Sequence, residues 1–348
     1  MTTEATLIAA DRAGRAAGTD PSGSFLPAEA ADNATATAVK NDDGWLAPMQ
    51  AAGDADGYLE SLGPRHWAFF AETGTTLVVT FESADAIRAR DGNMPAIWPL
   101  AQERGWSVLT LIAQGETFWR TSEVWGYFDR LIDDAFFDDF PNILFYGAGP
   151  AGHAAAAYMV AAPGARALLV APRATMAPEL AGWDRRHLKA RRLDFTSRYG
   201  FAPDMTEGAG HVWLVHDPLN APDAAHAALF RRPWVTTLNA RLTGENTERF
   251  LRLTGVLDPL IEAAATGRLT PLHFARAWRA RRDSTRYLNT ILAHAVAARR
   301  PAHEAMICRS SLRRLSMPRL AQHLARLEGA RRETDRKETD RKETDARD

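Results

Sequence analysis

Along the middle of the chain, short apolar runs keep alternating with stretches of helical periodicity, and that alternation leaves few folds open. Leu77–Phe81, Val108–Ala113, Ile143–Tyr146, Ala167–Val170 and Val212–Val215 are continuous apolar segments rich in Val, Leu and Ile. Runs of this length and composition read as strands buried on both faces, the kind found in parallel sheets. Val235–Leu238 adds a sixth. Helical patterns fill the gaps at 95–104, 122–137, 150–162 and 222–231. Repeated β–α alternation predicts a three-layer α/β domain over 57–257, with a mostly parallel sheet and helices on both faces. Ligands in such sheets sit at the carboxyl ends of the strands. No strand signal returns after residue 258, and apolar residues at helical spacing (Leu288, Ile291, Leu292, Ala295) predict a helical C-terminal region over 258–330.

Charge divides along the same boundaries. The whole chain has 348 residues and a formal net charge of -1. Thirteen arginines and three acids fall within 266–330, a net of +10, while residues 1–52 hold three bases and seven acids. An acidic sheet domain is therefore joined to a basic helical region, and docking of one on the other is the expected use of the charge. Aromatic residues are sparse in the basic region and no recognised nucleic-acid module accompanies it, which argues against nucleic acid as the partner. The first 56 residues contain only Phe25 and Trp45 as aromatics, too few to anchor a packed unit, so a disordered arm over 1–56 is expected. The end, 331–348, repeats RRETD, RKETD and RKETD with its charges cancelling, and reads as a solvated, disordered tail. No signal peptide and no run of membrane-spanning length is visible, so a cytoplasmic protein without a membrane partner is expected. A single cysteine, Cys308, excludes internal disulfides and four-cysteine zinc sites.

The most informative segment is 142–173, NILFYGAGPAGHAAAAYMVAAPGARALLVAPR. A strand ends at Tyr146, and Gly147, Gly149 and Gly152 satisfy G-x-G-x-x-G as an alanine-rich helix opens. Glycines permit a tight turn, and the free N–H groups of a helix start suit an anion. GAGPAG followed by a helix resembles the phosphate-binding turn of flavoprotein and NAD(P)-dependent oxidoreductases. That resemblance implies FAD or NADP held by Gly147, Gly149, Gly152 and His153, with Arg173 at a 2′-phosphate. Two apparent β–α units precede the turn, however, and the next strand ends at Arg173 instead of the acid that meets a ribose.

The placement matches the nucleophile elbow, G-x-S-x-G, of α/β-hydrolases, which the core resembles. Aligned on 147–152, the nucleophile position falls on Gly149, which has no attacking atom. Asp217 ends a strand where that family places its acid, with Asp223 and His226 following, but no histidine occurs in 239–246 after the last strand. The stretch 67–319 is also similar to an alphaproteobacterial group labelled phosphoadenosine phosphosulfate reductase. That similarity rests on FYGAGPAGHAAAA, APRATMAPELAGWDRR, DFTSRYGFAPDMTEGAG and HDPLNAPDAAHAALF. The resemblance implies reduction of an activated sulfate by a cysteine, here Cys308, with thioredoxin as reductant. Residues 81–85, FESAD, lack the glycines and lysine of that enzyme's phosphate loop, and Cys308 lies in MICRS and not in Glu-Cys-Gly.

Other clusters have plainer readings. Arg309 and Arg313 follow Cys308 and favour a thiolate, whereas Ala305, Met306, Ile307 and Leu312 favour a buried filler. His211, His216, Asp217, Asp223 and His226 show no metal-ligand spacing, so no metal is expected. Asp129, Asp133, Asp134, Asp138 and Asp139 read as a solvated acidic face, and Trp183, Asp184, Arg185 and Arg186 as a loop that suits either an anionic small molecule or surface salt bridges. The residues together predict a non-hydrolytic α/β-hydrolase-like protein with a ligand-binding or interaction role and a site around 147–153, Arg173 and Asp217. An oxidoreductase is the alternative.

Overall fold

In the computed structural model, which describes residues 43–345, eight strands form one sheet in the order β1-β2-β4-β3-β5-β6-β7-β8. They are β1 (Gly57–Ser61), β2 (His66–Ala71), β3 (Thr76–Ser83), β4 (Ser107–Ala113), β5 (Asn142–Ala148), β6 (Arg166–Val170), β7 (His211–His216) and β8 (Val235–Asn239). Only β2 runs against its neighbours; every pairing from β4 to β8 is parallel. This order with a reversed second strand is the α/β-hydrolase sheet. All six strands expected from the apolar runs are present. The hairpin β1–β2 was not legible, because β1 lies at the edge with no buried residue and lacks a continuous apolar run.

Among the described residues, thirteen α-helices accompany the sheet. They are α1 (Ala47–Asp56), α2 (Ala84–Arg88), α3 (Trp98–Arg104), α4 (Ser122–Asp133), α5 (Pro150–Tyr158), α6 (Pro178–Ala181), α7 (Ala221–Leu229), α8 (Thr247–Leu253), α9 (Leu257–Ala265), α10 (Pro271–Ala277), α11 (Thr285–Ala297), α12 (Pro301–Leu312) and α13 (Pro318–Asp345). Strand residues alternate between two cores, as a pleated sheet requires. Leu77, Val79, Phe145, Leu169 and Leu214 pack with α4 and α5 on one face. Val78, Leu144, Leu168, Trp213 and Val215 pack with α3, α8 and α9 on the other. The alanines of α5 are buried almost without exception, which lets this helix lie close against β3, β5 and β6.

Two expectations about the ends need correction. Residues 43–56 are not a disordered arm: a 3-10 turn and α1 occupy them, with Trp45 and Met49 buried. Two anchors suffice because they fill a groove on an existing sheet instead of building their own core; Trp45 meets Trp67 edge-on at 5.5 Å. The rest of that arm, 1–42, lies outside the described residues. At the other end, α13 continues through the repeat to Asp345. The five-residue period sets opposite charges four apart, as in Lys337–Glu333 and Lys342–Glu338, and this spacing supports a helix.

The helical region joins the α/β layers through rings. Phe250 of α8 meets Trp278 at 5.5 Å and Tyr287 at 5.9 Å. Among the described residues, no ion pair joins an arginine of 266–330 to an acid of 57–257, and the contact is made by these rings.

Candidate functional site

β5 delivers the chain into a sharp turn at Gly149, whose φ of 56° and ψ of -120° lie outside what side-chain-bearing residues adopt without strain. α5 begins at the next residue. Gly149 N–H donates to the Val170 carbonyl at 2.9 Å, and its own carbonyl accepts from His153 N–H at 3.1 Å and Arg173 N–H at 3.3 Å. The three glycines of the motif have different causes. A Cβ on Gly147 would stand 2.2 Å from the Ala151 carbonyl oxygen, and one on Gly152 would stand 3.0 Å from Pro172 Cβ. Both are needed for the turn to close on itself and on the segment after β6. At Gly149 nothing lies within 4 Å of the Cβ position, so the tip of the turn faces open space.

This is the geometry of a nucleophile elbow with the nucleophile absent. An active elbow also takes one oxyanion donor from the N–H after the nucleophile. Here that residue is Pro150, which has no N–H, so attacking atom and donor are missing together. The proline was visible in the sequence motif all along and is the signal that the glycine reading passed over. Asp217, just after β7, is buried; its Oδ1 accepts from Leu219 N–H at 3.0 Å and its Oδ2 from Gly244 N–H at 2.9 Å. The acid thus grips the backbone of the loop after β8, where a hydrolase acid would grip an imidazole. That loop carries Arg241, Leu242 and Thr243.

His153 and Arg173 turn inward. His153 is fully buried, with Nδ1 3.0 Å from the Arg173 carbonyl and Nε2 without a partner. Burial, assisted by Arg120, pushes its pKa down to about 3, so the ring is neutral. The Arg173 guanidinium donates to Asp223 at 3.0 Å and to the Ala171 carbonyl at 2.8 Å. Arg186 reaches the same Asp223 oxygen at 2.7 Å and Asp184 at 2.7 Å. His226 completes the network: its Nδ1 accepts from Ala174 N–H at 3.2 Å, so its Nε2 donates to Asp184 at 3.0 Å. Burial alone would raise the Asp184 carboxyl, but the bonds from His226 and Arg186 hold it well below the usual carboxylate range. Arg173 is therefore buried beside two carboxylates, with its Nε left without a hydrogen-bond partner. Arg185, by contrast, enters no part of this network.

Cys308 lies on α12, fully buried with Leu288, Met317 and Leu320. Burial, with a contribution from Glu304, raises its pKa, the opposite of what a reactive thiolate needs. Among the described residues, no group of three or more His, Cys, Asp or Glu side chains converges to hold a metal ion.

The open space beside the elbow is a cleft of about 610 Å³ over the carboxyl ends of β3 and β5. Phe81, Trp119, Ala148, Pro150 and Ala151 supply its apolar lining. Glu82 at the end of β3 pairs with Arg90 and accepts from Ala96 N–H at 2.6 Å. Glu248 pairs with Arg252 at 2.7 Å and accepts from the buried Tyr146 hydroxyl at 2.9 Å. Burial raises the Glu82 pKa against the pull of Arg90, and burial raises that of Tyr146 well above its ordinary value. None of these five polar residues was singled out from sequence. Glu248 and Arg252 look there like an ordinary i,i+4 pair on a solvated helix, and only the fold sets them beside Glu82.

No family model matches the chain, and no curated protein does. Among solved structures, a capsule O-acetyltransferase of Neisseria meningitidis serogroup A aligns with a TM-score of 0.40 and 11% identity, over 57% of this chain and 91% of that one. A putative thioesterase from a Silicibacter species aligns with a TM-score of 0.42 and 15% identity, over 67% and 97%. The acylaminoacyl peptidase of Pyrococcus horikoshii aligns with a TM-score of 0.43 and 7% identity, over 60% of this chain and 41% of that one. The assignment of an α/β-hydrolase-like fold rests on strand order and direction, not on these likenesses.

Proposed function

We propose that this chain is a non-hydrolytic α/β-hydrolase-like protein that binds a small ligand in the cleft beside the glycine turn. The observation that carries the reading is the pair Gly149–Pro150 at the elbow, which removes nucleophile and oxyanion donor in two adjacent residues. The absence of histidine from the loop after β8 removes the base as well. Acyl transfer through a covalent intermediate needs all three. What the elbow retains is a preformed concavity with an apolar floor and a few convergent polar groups, the usual makings of a small-molecule site.

Incubation of the full chain with a fluorophosphonate probe and with p-nitrophenyl acetate tests the claim. No labelling and no turnover above the buffer rate are expected; covalent labelling of any serine, or saturable ester turnover, overturns it. NADPH, FAD and phosphoadenosine phosphosulfate are expected to leave the thermal midpoint unchanged. A saturable rise with any of them would favour the corresponding oxidoreductase.

A further inference from the structure

The charges in the cleft are arranged in a way that selects among ligands. Tyr146 stands opposite Thr80 in the β3–β5 register, and Glu82 follows Thr80 by two residues, so all three occupy one face of the sheet. The Tyr146 hydroxyl reaches Glu248, which brings the second carboxylate towards that same face. Glu248 also adds to the upward push that burial exerts on Glu82, as two carboxylates facing one space must. In the first ion pair the guanidinium is the more exposed partner, 33% for Arg90 against 12% for Glu82, whereas Arg252 and Glu248 are exposed to similar extents, 41% and 36%. The cleft therefore holds two carboxylate–guanidinium pairs and no net charge, with Glu82 the most enclosed of the four groups.

A simple anion at Arg90 or Arg252 competes with the glutamate already paired there and adds an uncompensated negative charge beside two carboxylates. A simple cation at the glutamates competes with the guanidiniums in the same way and adds an uncompensated positive charge. Stranding a charge in a partly desolvated site opposes binding of either. A ligand carrying both charges replaces both partners at once. We propose that the cleft binds a small zwitterion of the α-amino-acid type with an apolar side chain, its ammonium between Glu82 and Glu248 and its carboxylate at Arg90 and Arg252. The side chain lies on Phe81, Trp119 and Pro150. This assignment rests on the ligand-binding reading above and adds the ligand class.

Calorimetric titration of the full chain with L-phenylalanine, N-acetyl-L-phenylalanine and L-phenylalaninamide at about pH 6 tests it, because the first carries both charges, the second only the carboxylate and the third only the ammonium. The zwitterion should bind at least about tenfold more tightly than either singly charged form. Arg252→Gln, in a half-exposed pair whose loss leaves the thermal midpoint in place, should weaken L-phenylalanine by about tenfold and leave the amide within about twofold. Equal affinity for the three forms overturns the proposal, as does no heat with any of them. Preference for one singly charged form, lost on Arg252→Gln, also overturns it while the ligand-binding cleft stands. Ester turnover would instead overturn the non-hydrolytic reading.

Discussion

At Gly149 the backbone holds a conformation that serine adopts only under strain of about 1–3 kcal/mol, and an elbow enzyme carries that strain as part of its mechanism. Glycine relieves it. Gly149→Ser should therefore lose about 1–3 kcal/mol in chemical denaturation, since nothing crowds its Cβ and backbone strain is the whole effect. The new hydroxyl should stay unlabelled by a fluorophosphonate, because no base faces it; labelling would reveal one. His153 makes a second prediction at the same scale. Its folded pKa of about 3 lies below the ordinary value of 6.5, so between those values the unfolded chain binds the extra proton. Stability should be fully present above about pH 6.5 and decline as pH falls towards 3. His153→Asn should flatten that slope in urea melts collected across the range; an unchanged slope would remove His153 as its source.

The excursion between β6 and β7, residues 171–210, is held as an element by buried charge. Arg173, Asp184, Arg186, Asp223 and His226 tie it to α7, and Arg120 donates to the Asp194 carbonyl at 2.5 Å and the Arg198 carbonyl at 2.9 Å. Two arginines and two aspartates balance, so removing one carboxylate leaves both guanidiniums sharing the other. Asp223→Asn should destabilise by about 3–5 kcal/mol and speed amide exchange across 171–210. A loss below about 1 kcal/mol would mean that packing alone holds the excursion. Asp184 works in the same direction as His153. Its depressed carboxyl contributes stability that is present above the ordinary pKa of about 3.9 and is lost as pH falls through the folded value.

Across the whole molecule, charge and structure are distributed unevenly. Arg276, Arg279, Arg282, Arg286, Arg299, Arg300, Arg313 and Arg319 are exposed, and none pairs with an acid among the described residues. What attaches this region is the ring cluster of Phe250, Phe274, Trp278 and Tyr287. At the far end, residues 331–339 of α13 are all exposed, and exposed i,i+4 pairs contribute only about 0.3–0.5 kcal/mol each. Truncation after Ala330 should leave the unfolding free energy within about 0.5 kcal/mol while lowering far-UV helicity. The helicity difference between the two chains should shrink with added salt, which screens those pairs. A large stability loss would show that the repeat packs against the body.

The positions of β3 to β8, the elbow at Gly149, and the missing serine and histidine are determined by the sequence itself. Each depends on local chemistry: apolar runs of strand length, glycines at a strand-to-helix turn, residue types at fixed offsets. The helicity of the repeat was also written there, in its i,i+4 charges, though low complexity masked it. Tertiary structure alone decided the rest. Nothing near Arg173 announces that Asp223 neutralises it, and nothing near Glu82 announces Glu248. Those partners meet because parallel strands bring their carboxyl ends to one edge of the sheet, so residues far apart in the chain become neighbours without any periodicity that a linear reading could detect.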